Sequence, residues 1–173
     1  MKKTILLLAV LITVYGVRAQ DNAVQRIDEM LNAWHDAAAK AHFDDYFALM
    51  TPDAVYVGTD AGENWEAEAF RAFAKPYFDK GKAWSFSALD RNIYLADNGK
   101  IAWFDELLDT QMKVCRGSGV VVKKDGKWLV RHYVLSVTVP NDKLGELITI
   151  KNSEDDRFID SLQQVRKPEN EDK

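Results

Sequence analysis

The run GVVVKKDGKWLVRHYVLSVTVPN spans residues 119–141. At its centre Lys124-Asp125-Gly126-Lys127 separates two segments rich in β-branched residues. Asp-Gly in that setting is a strong short-range hairpin signal, because the favoured two-residue turn needs positive φ at both central positions. Working outward, Val114 to Lys123 and Trp128 to Val139 read as the two longest strands, and Pro140-Asn141 ends the second. Ile101 to Asp109 and Trp84 to Ala96 also read as strands, separated by the turn Asp97-Asn98-Gly99. Thr110 to Lys113 then links this pair to the long hairpin.

Upstream the hydrophobic period changes from two to about 3.6. Val24, Ile27, Met30, Leu31, Trp34 and Ala38 recur at three- and four-residue steps, so Asp21 to Ala41 reads as a helix. His42 to Met50 reads as a short second helix stopped near Thr51-Pro52. Ala54 to Val57 is a short strand, Gly58 to Asn64 a loop, and Trp65 to Phe78 a third helix closed by Asp79-Lys80-Gly81. Helices followed by an antiparallel meander define an α+β domain. Beyond Asn141, amphipathic stretches lie around Leu144–Ile150 and Phe158–Val165, and Lys167 to Lys173 reads as disordered.

The first residues read as a signal peptide. Lys2 and Lys3 form a basic start, Thr4 to Tyr15 an apolar run, and Val17-Arg18-Ala19 a small-x-small cleavage site. The apolar run falls short of the ~20 residues of a membrane span. The expected organisation is therefore a signal peptide at 1–19, one domain at 20–141, and an extension at 142–173. An exported, periplasmic or secreted location follows. The mature chain would carry 20 basic and 27 acidic residues, a net charge of −7. That balance argues against nucleic acid or an anionic membrane as partner. Cys115 is the single cysteine, so no intrachain disulfide can form.

The Asp-Gly turn also implies a register. With Lys124 opposite Lys127, Val120 faces Arg131, Ser118 faces Tyr133, and Arg116 faces Leu135, all on one side. That side mixes apolar and polar groups, as a cavity wall does. The other side carries Cys115, Gly117, Gly119 and Val121 opposite Ser136, Val134, His132 and Val130, a strip suited to close packing against another layer or a second subunit. On the preceding strand, Trp103, Asp105 and Leu107 alternate with Phe104, Glu106 and Leu108. Alternation alone leaves open which set faces inward.

Each candidate side chain has a functional and a plain reading. Asp105 is either a general acid or base or one half of a structural ion pair. Arg116 and Arg131 would hold an anionic ligand if both face the cavity, and would otherwise pair internally. Trp34, Tyr56, Trp65, Trp84 and Trp103 either stack a flat ligand or fill the core. His132 falls on the outer parity. His35 and His42 have no third ligand at metal spacing, so no metal is expected. Glu63 either closes on a ligand or caps the third helix.

The strings YVGTDAGENW (56–65), IAWFDELL (101–108) and GVVVKKDGKWLVRHYVLSVTVPN (119–141) resemble the SnoaL-like subgroup of the nuclear transport factor 2-like superfamily. The resemblance covers about residues 21–141. It implies a cone-shaped, half-open barrel, with three N-terminal helices packed on a curved antiparallel sheet and a pocket between. It implies frequent homodimers through the outer sheet surface. It also implies that Arg116, Ser118, Arg131, Tyr133 and Leu135 face the pocket, with Trp103 and Asp105 pointing inward. The superfamily's ketosteroid isomerases carry their general base where this chain has Gly58. Their oxyanion donors fall near Trp34 and at Ser118. None of these three positions keeps the isomerase residue, which disfavours that reaction.

The expected ligand-binding set is thus Trp34, Tyr56, Trp103, Asp105, Arg116, Ser118, Arg131, Tyr133 and Leu135. The leading expectation is an exported homodimeric domain that binds a small, partly apolar molecule in a conical pocket, anionic if both arginines face it, without cofactor or metal. The alternatives are a cofactor-independent lyase, isomerase or hydrolase with Asp105 as acid or base, and an association module without catalysis.

Overall fold

The computed structural model describes residues 22–166, and the signal-peptide segment lies outside them, as does the stretch 167–173 read as disordered. Helix α1 spans residues 22–39 and α2 spans Phe43–Ala48. Strand β1 (Met50–Val57), β2 (Asn64–Glu66) and helix α3 (Ala67–Asp79) follow. The meander is β3 (Phe86–Leu95), β4 (Ile101–Thr110), β5 (Lys113–Lys124) and β6 (Lys127–Val137). A short 3₁₀ turn at Asn141–Lys143 leads into α4, Leu144–Arg166.

The sheet order is β2-β1-β6-β5-β4-β3. Helices packed on this six-stranded, unclosed sheet make the expected α+β class. One detail of the expectation changes. β1 runs parallel to β6, so the sheet is mixed rather than antiparallel throughout. The first and last strands are joined by the whole intervening chain, so no hairpin turn constrains their relative direction. β2 escaped the sequence reading because three residues with a single apolar member show no alternation.

The turn chemistry is as the sequence implies. Asp125 and Gly126 have φ of 50° and 81°, and Lys124 pairs with Lys127. α1 turns Ile27, Leu31, Trp34 and Ala38 into the core, and α3 adds Phe70, Ala74 and Phe78 at the same spacing. Burying such side chains stabilises by ~1.5–3 kcal/mol each, and this term holds the helices on the sheet. The first compact unit ends at Val137 and the second begins at Thr138. In the second unit the two amphipathic stretches form the single helix α4. Among the described residues no helix is long and apolar enough to cross a membrane.

Candidate functional site

The inner surface of the sheet depends on one irregular residue. From the turn outward, the pairs Lys123–Trp128, Val122–Leu129 and Val121–Val130 follow the expected register, and then it shifts. Val120 pairs with His132, Gly119 with Tyr133, Gly117 with Leu135 and Arg116 with Ser136. Arg131 is the extra residue of a β-bulge, and beyond it each β6 residue faces the side opposite to the one the turn register implies, while β5 keeps its alternation. The cause is tertiary. Arg131 Nη1 donates to the Asp53 carbonyl at 2.8 Å and forms an ion pair with the Asp53 carboxylate, where β1 has its own register break between Met50 and Val55. Two irregular strands are clamped together there.

The bulge splits the expected wall: Tyr133 and Leu135 face inward as expected, but they now share that side with Gly119 and Gly117 rather than with Ser118 and Arg116. Cys115, Gly117, Gly119 and Val121 point inward from β5, and Val130, Tyr133 and Leu135 from β6. On β4 the inward set is Ala102, Phe104, Glu106, Leu108 and Thr110. Trp103, Asp105, Arg116 and Ser118 therefore stand on the opposite surface. Trp103 is 50% exposed and stacks on Tyr94 at 5.8 Å. Asp105 accepts from Asn92 Nδ2 at 3.1 Å. Arg131 is held by Asp53, and Arg116 is exposed. The five are not brought together with the inward residues. The glycine strip lies inside, where it gives room to aromatic rings. A Cβ at Gly119 would sit 2.8 Å from Phe104 Cε1, and one at Gly117 would sit 2.2 Å from Tyr133 Oη.

Under that inner wall lies a buried polar network centred on Glu106, which is 2% exposed. Its Oε1 faces His35 Nε2 at 2.9 Å and accepts from Tyr133 Oη at 2.9 Å. Its Oε2 accepts from Arg91 Nε at 2.8 Å, with Arg91 Nη2 at 2.7 Å. Arg91 sits directly across from Glu106 in the β3–β4 register. It reaches on to Asp28 Oδ1 at 2.6 Å and Asn32 Oδ1 at 2.8 Å on α1. Burial acts to raise the Glu106 pKa, but the His35 hydrogen bond and the charges of His35 and Arg91 outweigh it, and the net shift is downward. Glu106 is thus a carboxylate, and His35 Nε2 is the donor in their contact. The Tyr133 phenol is pushed well up by its burial and by the Glu106 charge, so it stays a donor.

Sequence reasoning missed this network, although part of the signal was present. His35 falls four residues after Leu31, on the apolar stripe of α1. A histidine there is buried and needs a partner. Trp34 belongs to the same packing. It stacks on Tyr46 at 5.0 Å, meets Tyr133 edge-on at 4.9 Å, and is 1% exposed.

Beside the network a cleft of about 170 Å³ opens between the sheet and α3. Tyr56 and Leu135 line it from β1 and β6, and Phe70 and Phe73 from α3. Trp84 and Phe86 close one side, and Gln111 and Met112 in the β4–β5 connection close another. Gly58, Thr59 and Glu63 form its rim. Tyr56 stacks on Phe70 at 4.1 Å and 9°. Burial and then the Glu63 charge push its phenol up, which keeps it neutral. Glu63 is the one ionisable carboxyl group on the lining, and no Lys, Arg or His shares it.

The rim loop is closely tied. Gly58 N–H donates to Glu63 O at 2.9 Å, Glu63 N–H to Asp60 O at 3.0 Å, and Gly62 N–H to Asp60 Oδ1 at 2.8 Å. Glu63 does not cap α3, whose N-cap is Glu66. Its carboxylate folds back over Gly58, where a Cβ would lie 2.1 Å from Glu63 Oε2. Of the expected ligand-binding set, Tyr56 and Leu135 line this cleft, Tyr133 and Trp34 lie in the core beneath, and the other five are on the far surface. Among the described residues no three His, Cys, Asp or Glu side chains converge as a metal site requires.

The sequence model of one family, the SnoaL-like domain, matches residues 27–140. No curated protein matches the chain. Solved structures of similar fold include an NTF2-like protein of unknown function from Pseudomonas putida KT2440, 16% identical. The match covers 69% of this chain and 89% of that one, with a TM-score of 0.57. A "Putative Scytalone Dehydratase" from Novosphingobium aromaticivorans is 13% identical over 71% of this chain and 89% of its own, with a TM-score of 0.61. A "Putative calcium/calmodulin dependent protein kinase II association domain" from Xanthomonas campestris is 20% identical over 65% and 85%, with a TM-score of 0.50. At these identities the likeness is one of fold.

Proposed function

We propose that this chain, which belongs to the SnoaL-like domain family, binds a small, largely apolar molecule in the cleft between β1, α3 and β6. One observation carries the reading. The cleft is walled by Tyr56, Phe70, Phe73, Trp84, Phe86 and Leu135, with polar groups confined to its rim and one edge. Concave apolar walls with a few convergent polar groups are what small-molecule sites present. The buried charges beneath are mutually compensated, so they shape the wall rather than meet the ligand. Asp105 has no place in this reading, since its side chain lies across the sheet. Arg116 and Arg131 do not line the cleft either, so an anionic ligand loses its expected partners.

The exposed aromatic pair Tyr94 and Trp103 on the outer sheet surface supports a homodimer formed through that surface. Likeness in fold to an association domain favours the same reading. The N-terminal pattern supports export, with cleavage after Ala19. Sequencing the N-terminus of protein recovered from an exporting host tests it, and a start other than Gln20 would refute that cleavage site.

The binding reading is tested by titrating the protein with a one-ring aromatic such as benzyl alcohol and following ligand-detected NMR. Saturable binding to the wild type is expected. Met112→Trp places bulk in the cleft from a half-buried position and should abolish it while the melting temperature holds. Undiminished binding by that variant would remove the cleft from the function.

A further inference from the structure

The rim and walls of the cleft also bear on the charge of what enters it. Glu63 brings a carboxylate to a space otherwise bounded by aromatic and aliphatic side chains. Its carboxylate accepts from the Asp60 backbone N–H, 3.3 Å from Oε2. Among the described residues no Lys, Arg or His lies within ion-pair distance of it. The buried Glu106 is matched by Arg91, and Arg131 by Asp53. Glu63 is half-buried and unmatched.

The walls have the same electrostatic sense. Aromatic rings present negative faces, which attract cations. Tyr56, Phe70, Phe73, Trp84 and Phe86 together form the wall of the cleft, with the Trp84 ring 5.7 Å from Phe70 and 6.5 Å from Tyr56. A cation in the cleft would lie against this aromatic wall and, at the rim, meet the Glu63 carboxylate. An anion would meet repulsion from both. The volume of about 170 Å³ equals the liquid share of five or six waters at ~30 Å³ each, which suits an ammonium head with a small substituent.

Resting on the cleft-binding reading above, we infer that the ligand is a small organic cation, an amine or quaternary ammonium compound, with Glu63 as its counter-charge. Gly58 is the residue that makes this possible, because any side chain there would displace the carboxylate.

The test compares three one-ring probes by calorimetry on the mature protein: benzyltrimethylammonium, benzyl alcohol and benzoate. The cation should bind about tenfold or more tighter than the alcohol, with benzoate weakest. Glu63→Gln should remove about tenfold of the cation's affinity and leave that of the alcohol within about twofold. Gly58→Ala, which pushes the carboxylate aside without deleting it, should weaken the cation in the same direction. It serves if Glu63→Gln fails to fold. Equal binding of cation and alcohol, or tightest binding of benzoate, would overturn the cation inference while leaving a binding cleft in place. A cation preference untouched by both variants would also overturn it. Absence of saturation by all three probes at millimolar concentration would overturn the cleft-binding reading and this inference together.

Discussion

Replacing Glu106 by glutamine should destabilise the fold by about 3 kcal/mol. The substitution keeps the shape of the side chain but exchanges one carboxylate oxygen for an amide NH₂. If the amide nitrogen turns toward Arg91, two donors face each other where Nε now donates at 2.8 Å. If it turns the other way, it faces His35 Nε2 and Tyr133 Oη, each now at 2.9 Å from Oε1. Either orientation leaves a buried donor without an acceptor, and Arg91 loses the counter-charge nearest to it. The Arg91 side chain is 4% exposed and that of Glu106 is fully buried, so water cannot replace the lost partner. Removing one member of a buried pair costs ~3–5 kcal/mol. Arg91 keeps Asp28, whose side chain is 46% exposed, and that retained partner puts the loss at the lower end. Urea denaturation followed by circular dichroism measures it, with the slope checked for constancy. Adding Arg91→Met to the variant should recover part of the loss, because the stranded charge is gone, and the coupling should reach ~1 kcal/mol or more. A cost below about 1 kcal/mol for Glu106→Gln, with no coupling to Arg91→Met, would refute the view that this network holds a buried charge.

Three further outcomes follow from the same geometry. Glu106 has a folded pKa below its ordinary value of 4.5, so its contribution is fully present above that value and is lost as pH falls through the folded pKa. The difference in urea midpoint between wild type and Glu106→Gln should therefore be constant from pH ~7 to ~5 and shrink toward pH ~3, and a difference unchanged at low pH would contradict it. Gly119→Ala places a methyl 2.4 Å from the His132 carbonyl oxygen, which belongs to backbone and cannot swing away. It should cost ~1–3 kcal/mol in a thermal melt, whereas a neutral result would mean the β5–β6 spacing is looser than observed. Trp103→Glu puts a charge at the centre of the outer aromatic pair and should turn a dimer into a folded monomer by sedimentation velocity. An unchanged sedimentation coefficient would place any interface elsewhere.

The class of fold was legible in the sequence because it rests on local signals. Periodicity along α1 and α3, the Asp125-Gly126 turn and the alternation through β4 to β6 each depend on residues a few positions apart. The same patterns placed Tyr56 and Leu135 at the end of strands that border the cleft. His35 could have been suspected from its place on the apolar stripe of α1. The choice between Asp105 and Glu106 could not be made from alternation, since both parities of β4 carry an acid flanked by apolar residues.

What the sequence determined by itself was therefore the set of elements apart from the short strand β2, their order, and the turn that starts the long hairpin. Which residues face the interior was decided by tertiary structure. Counting outward from Lys124 and Lys127 holds for three more pairs and then fails at Arg131. Strand parity is carried residue by residue along the backbone, so one inserted residue reverses every position after it. The bulge is held by Arg131 reaching Asp53, 78 positions earlier in the chain. A partner so distant leaves no mark on the local pattern, and only the folded chain brings the two together.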